Sequence, residues 1–184
     1  MTFLELGFLK AAPKDLRILV ANSPDIEIPF DKVLDYITPC GPITRSTPIE
    51  MDDPELASCL ARGPIIYVNL GTHHFFDLAL VTEFAGAIKS LLDAETTSKA
   101  ISADHGLIQI LWKMPRKLSE DENRSEFWGP WIGFREIMSP YIERDRVWIK
   151  YWFIAEPKSI LEPGHMICSV NHGGSNSFHE AIWF

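Results

Sequence analysis

The chain has 184 residues and a formal net charge of −8, long enough for one domain with its own core and too acidic for non-specific nucleic-acid binding. Hydrophobic and charged fractions of 46% and 23% are those of an ordinary globular protein. No apolar run reaches the ~18–20 residues of a membrane span, and the N-terminus M-T-F-L-E-L-G-F-L-K lacks the basic region of a signal peptide. A cytoplasmic location is therefore expected. Cys40, Cys59 and Cys168 form an odd set without C-x-x-C spacing and read as reduced thiols. Cys168 falls in a strand pattern, where it is expected as small core filler.

Residues 16–21, L-R-I-L-V-A, form a short strand stopped by Asn22-Ser-Pro. Residues 24–64 contain Pro24, Pro29, Pro39, Pro42, Pro48, Pro54 and Pro64. Proline donates no ladder hydrogen bond and disfavours helix in the residue before it. This stretch reads as an extended linker, with one helical turn at residues 54–60. Residues 65–70 are nearly all apolar, as in a parallel strand covered on both faces. Residues 77–94 show helical periodicity, with Val81, Phe84, Ala85, Ile88, Leu91 and Leu92 on one side and Asp77 as N-cap.

A second strand is expected at residues 107–112, and a charged loop at residues 116–125. Residues 131–141 read as a weak helix interrupted or restarted at Ser139-Pro140. A third strand follows at residues 146–151 and a fourth at residues 166–170, with helix from Ser177 onward. Strands alternating with helices imply a parallel α/β sheet. In such a sheet a ligand lies at the carboxyl ends of the strands. The loops there are residues 71–75, 113–116, 152–157 and 171–176.

The last of these loops carries the strongest signal. In C-S-V-N-H-G-G-S-N-S-F-H-E-A-I (residues 168–182) an apolar strand breaks into a glycine-bearing turn and enters a helix. Glycines let backbone approach a ligand closely. The free N–H groups and positive dipole end of a helix start attract phosphate. Asn176 and Ser177 are good caps that can also donate to phosphate oxygens, and His172 could add an Nε2–H or a positive charge. The turn has neither the Lys-Ser/Thr ending of a P-loop nor the G-x-G-x-x-G of dinucleotide folds. Its plainer reading is a glycine-rich connection with capping residues.

Four blocks in order resemble one family. H-G-G-S-N-S-F-H-E-A-I is similar to the donor-nucleotide signature H-G-G-x-N-S-x-x-E-A of the UDP-glycosyltransferases. W-I-K-Y-W-F-I-A-E-P-K-S-I-L (residues 148–161) resembles the start of that signature. Y-V-N-L-G-T (residues 67–72) resembles the first strand and phosphate loop, and I-L-W-K-M (residues 110–114) the second strand. The resemblance runs from about Leu16 to Phe184, with the flavour of the fungal sterol and natural-product branch.

It implies a partial Rossmann-like parallel sheet, the donor domain of a two-domain GT-B enzyme. Residues 1–63 would be a remnant of the acceptor domain and the interdomain linker. Residues 64–184 would be an incomplete nucleotide-sugar-binding domain. It implies that Trp152 stacks on uracil and that the Phe153–Ile154 loop offers backbone hydrogen bonds to the base. Glu180 would hold the ribose hydroxyls. His172, Gly174, Asn176 and Ser177 would bind the diphosphate opposite Gly71 and Thr72.

Read from residue types alone, Trp152 is equally a core Trp at a strand end and Glu180 a solvated helix residue. His73 and His74 are two loop imidazoles without a role, and Glu156, His105, His165 and His179 read as surface or capping residues. No metal-ligand spacing is present, and neither a metal nor a cofactor is expected beyond the UDP-sugar itself.

Two departures matter. The family's Trp-x-Pro-Gln is here Trp152-Phe-Ile-Ala-Glu-Pro157, without the Gln. The family also continues past the point matching Phe184, and its acceptor domain carries the catalytic His. The expectation is thus the donor-binding part of a hexosyltransferase acting on a small lipophilic acceptor, inactive alone and with no catalytic residue of its own. The alternatives are a nucleotide-binding subunit needing an acceptor-domain partner, or a non-catalytic remnant. The outer edge of the strand at residues 166–170 is expected to be open to self-association.

Overall fold

A computed structural model describes residues 15–21, 23, 34–45, 47–72, 76–97, 106–114 and 131–184. His73, His74, His105, the loop at residues 116–125 and the prolines at 24 and 29 lie outside the described residues. The chain divides into two units, residues 1–43 with Trp183 and residues 44–182 with Phe184. In the first unit, β1 (Ile18–Val20) and β2 (Ile37–Pro39) pair in parallel, Ile18 opposite Ile37. The Arg17 guanidinium donates to the Asp35 carbonyl at 2.7 Å beside them.

The second unit runs α1 (Ile49–Asp52), α2 (Pro54–Leu60), β3 (Ile65–Asn69), α3 (Leu78–Thr97), β4 (Gln109–Lys113), α4 (Ile132–Ile142), β5 (Val147–Lys150), α5 (Pro157–Leu161), β6 (Met166–Asn171) and α6 (Ser175–Trp183). Its four strands are parallel in the order β5-β4-β3-β6. The chain thus starts in the interior of the sheet, winds outward twice, and returns to the other side of β3. That reversal is the switch point of a doubly wound α/β fold.

Period-two alternation sends side chains to two cores. Val68, Leu70, Ile110, Trp112 and Val147 pack with α3 and α4 through Val81, Ala85, Phe134 and Met138. Ile65, Tyr67 and Leu111 pack on the opposite face with Ile49, Leu56, Cys59, Leu60, Ile160 and Leu161.

Residues 49–63 therefore pack against the sheet, α2 where one helical turn was expected and α1 where extended chain was. Proline here starts a helix: Pro54 occupies the first turn of α2, whose Leu56 N–H is capped by Asp53 Oδ1 at 3.0 Å. The helix at residues 132–142 also runs through Pro140 without interruption. Pro140 sits in its last turn, so only one internal bond is lost, and buried Met138 and Tyr141 hold the turn to the core.

Asp77 caps α3 as expected, accepting from Leu80 N–H at 2.8 Å. Cys168 is exposed, not core filler, and its neighbour Ile167 is 57% exposed. Consecutive strand residues face opposite sides, so both faces of β6 are open at this level, consistent with its place at the sheet edge. Among the described residues no helix is long and apolar enough to cross a membrane. No three His, Cys, Asp or Glu among them lie close enough to hold a metal ion.

Candidate functional site

The carboxyl ends of β3 and β6 are built alike. Asn69 and Asn171 are partners across the two strands. Asn69 Oδ1 accepts from Gly71 N–H at 3.1 Å, and Asn171 Oδ1 accepts from Gly173 N–H at 2.9 Å. Each strand thus ends in an Asx-turn that carries a glycine into positive φ, +83° at Gly71 and +71° at Gly173. The Asn69 amide is fixed in turn, donating to the buried Tyr67 hydroxyl at 3.0 Å. Burial, the leading cause, pushes that phenol well above its ordinary range, so it stays neutral.

The His172 ring lies between the two turns. A Cβ added at Gly71 would sit 2.7 Å from His172 Cε1, and so would one added at Gly174. Side chains at either place would collide with the imidazole. Gly71→Ala is expected to destabilise the fold by ~1–3 kcal/mol, from left-handed backbone strain plus that collision. In a His172→Ala background the cost should shrink to the backbone share. Urea unfolding of the four proteins checks this, and equal costs in both backgrounds would contradict the packing.

Gly174 is the N-cap of α6 and supplies no side-chain cap. The helix therefore begins at Ser175, earlier than its sequence pattern indicates, and Asn176 and Ser177 stand in its first turn instead of capping it. The first N–H groups of a helix have no intrahelical acceptor, and Asn176 and Ser177 line the adjoining cavity. His179 is buried, not a surface residue, with Nδ1 2.6 Å from the Ser175 carbonyl oxygen.

These elements enclose an open cavity of about 840 Å³, within the ~300–1,000 Å³ of small-molecule sites. Gly71, Thr72, Trp152, His172, Gly174, Asn176, Ser177 and Glu180 all line it. Phe153 does not. It is 5% exposed and packs edge-on against Tyr67, ring centroids 6.2 Å apart. Only its backbone remains available to a ligand. The alternation of the loop explains the swap: Trp152 and Ile154 are exposed while Phe153 and Ala155 are buried.

Lys113, Ser175 and Glu156 fall in the loops expected at the ligand end of the sheet but were given no role there, Glu156 being read as a surface or capping residue, and Asn69 was passed over; all four line the cavity, and Glu156 is also the N-cap of α5. The repeated Asn-x-Gly at residues 69–71 and 171–173 was a usable signal. Lys113, a charge ending an apolar strand, was another. Lys113 is 8% exposed, and its Nζ lies 3.9 Å from the centre of the Trp152 ring. Burial lowers its pKa, opposed by the charges of Glu180 and Glu156. The Glu180 carboxyl is shifted up, by burial first and by Glu156 second, with Lys113 opposing. The cavity therefore sets a cation and an aromatic face beside two carboxylates, and backbone donors at the opposite wall.

No protein-family model matches the chain. Over 179 residues it is 35% identical to a protein named glycosyltransferase sdnJ from Sordaria araneosa, covering 97% of this chain and 32% of that protein. The chain is similar in sequence to part of this glycosyltransferase. It spans about a third of the length of this glycosyltransferase relative. In structure it is similar to the GT-B UDP-glycosyltransferases. Apo UGT2 of Phytolacca americana superposes with a TM-score of 0.51 at 20% identity, covering 79% of this chain and 29% of that one. Os79 from O. sativa, in complex with UDP, gives a TM-score of 0.44 at 19% identity, covering 75% of this chain and 24% of that one.

Proposed function

We propose that the chain is the donor-binding part of a UDP-glycosyltransferase that moves a hexose from a UDP-sugar to a small lipophilic acceptor. The observation that carries the reading is the convergence of two Asn-x-Gly turns and the start of α6 on one cavity at the sheet's switch point. Diphosphate is the ligand for such a wall, held by the first N–H groups of α6 with Thr72, His172, Asn176 and Ser177. Trp152 offers its face to uracil and Glu180 its carboxylate to the ribose hydroxyls.

Transfer needs a base for the acceptor hydroxyl and stabilisation of the departing diphosphate. The cavity is suited to the second task. The base is assigned to an acceptor-binding part beyond the third of the relative that this chain matches. Labelled UDP-glucose incubated with the chain and sterol or phenolic acceptors should yield no glycoside. Turnover that persists through purification would move the base into this chain.

Titration with UDP, UMP and uridine tests the binding site. UDP should bind at about millimolar Kd, ~−4 kcal/mol, and uridine more weakly. Asn176→Ala should weaken UDP by ~1–3 kcal/mol and leave uridine unchanged. Uridine binding as tightly as UDP would sink the diphosphate assignment.

The open edge of β6, with Ile167 exposed, favours a second reading. In it the chain is a nucleotide-binding subunit whose edge strand pairs with an acceptor-domain partner or with a second copy. Light scattering over a concentration series separates a self-associating chain from a monomer.

A further inference from the structure

Three lysines of the sheet unit show what is unusual about one of them. Lys150 ends β5 and reaches Glu55 at 3.3 Å, its side chain 39% exposed. Lys89 on α3 pairs with Asp93 and is half exposed. Lys113 is buried at the end of β4, and its Nζ rests on the Trp152 ring. A buried ammonium is costly unless something compensates it, and a long lysine stem ordinarily carries its charge out to water. Glu180 and Glu156 act on Lys113 through space. Its close partner is the indole face.

Trp152 has the complementary peculiarity. It lies in the irregular stretch after β5 and is 57% exposed. The residues on either side of Ile154 anchor that stretch, since Phe153 and Ala155 are buried. An exposed indole held only by its backbone would sample several rotamers. The buried ammonium occupies one face of the ring, which leaves the other for a planar ligand, and both residues line the same cavity.

We infer that Lys113 is a positioning residue for base recognition: its ammonium clamps the Trp152 indole from the inside by a cation–π contact and presents the opposite face to a nucleobase. The inference rests on the donor-site reading above and deepens it. Lys113 touches the ring and not the ligand. A cation–π contact at a partly desolvated site orients an aromatic face at a strength comparable to one base stack.

The test is titration of the full chain with uridine, UDP and pyrophosphate, for the wild type, Lys113→Met, Lys113→Arg, Trp152→Ala and the Lys113→Met/Trp152→Ala double variant. Methionine keeps the buried stem and removes only the charge. Lys113→Met should weaken uridine and UDP by the same factor, about three- to tenfold, and leave pyrophosphate unchanged. Lys113→Arg should restore most of the loss, because a guanidinium also stacks on indole. In the Trp152→Ala background, Lys113→Met should have no further effect on UDP.

If Lys113→Met weakens pyrophosphate as much as UDP, the lysine is a phosphate ligand and the inference is wrong. Additive losses in the double variant, or unchanged uridine binding in Lys113→Met, overturn it as well. A wild-type chain that binds none of the three ligands overturns the donor-site reading and this one together. A chain that binds UDP with uridine indifferent to Lys113 overturns this one alone.

Discussion

Arg146→Ala is expected to lower stability by about 3–5 kcal/mol, the cost of leaving a buried charge without its partner. Glu95, near the end of α3, is 3% exposed and pairs with the Arg146 guanidinium at the start of β5. The two side chains close a ring around the backbone of one residue. Glu95 Oε1 accepts from Ile108 N–H at 2.7 Å, and Arg146 Nε–H donates to the Ile108 carbonyl at 2.7 Å. Ile108 immediately precedes β4, so the ring ties α3, β4 and β5 together at the amino ends of the strands. Removing the guanidinium strands the carboxylate and a backbone acceptor at once. Urea unfolding measures the loss. A shift under 1 kcal/mol would mean that water reaches the pair.

Trp112→Ala should cost a similar ~3–5 kcal/mol, from lost burial plus the cavity it leaves. The indole is fully buried, with Phe76 and Phe134 edge-on at 5.4 and 5.7 Å. Trp112→Phe should cost much less than volume alone implies. Among the described residues Trp112 Nε1 has no hydrogen-bond acceptor, and phenylalanine removes that donor along with the bulk. The site should feel the alanine variant too, because Lys113 follows Trp112 on the opposite face of β4. Thermal melts read the stability, and UDP titration reads the displaced lysine. Equal losses for the Phe and Ala variants would show that packing around the six-membered ring counts for nothing.

Where the sequence carried period and composition together, it was legible. The apolar run at Ile65–Asn69 and the face of α3 through Val81, Ala85, Ile88 and Leu92 came directly from spacing. A helical turn was expected at residues 54–60, where α2 lies, but α1 was read as extended chain because proline was taken as a breaker. Pro54 is a helix start, and Leu56, Cys59 and Leu60 at i, i+3 and i+4 were the signal that it is. The five-residue helix α5 escaped because so short a piece has too little period to detect, although Pro157 marks its first turn. Strand order is absent from local pattern altogether, since nothing near Met166–Asn171 states that β6 returns to the far side of β3. In the site, motif residues were legible because glycine and asparagine have few other reasons to recur at strand ends. The burial of the Phe153 side chain was not legible, because a motif gives positions and not the direction each side chain faces. Lys113 was placed in a ligand-end loop but given no role, because its contact is with a ring 39 residues away in sequence, and only folding brings the two together.

The pairing of Asn69 with Asn171 has a mechanical consequence. Both glycine turns spring from the same rung of one ladder, where adjacent strands stand ~4.8 Å apart and do not slide. The gap between the turns is thus a fixed gauge. Trp152 belongs to no ladder; its place depends on a few anchors in an irregular stretch. Rigidity and give are therefore divided along a bound nucleotide. In the donor-site reading, the diphosphate end would meet a wall fixed by the ladder, and the base end an indole held by Lys113 outside any ladder. Such a site tolerates a change of base better than a change in phosphate span, so a thymidine diphosphate should lose less affinity than a uridine triphosphate, whose extra phosphoryl group does not fit the gauge.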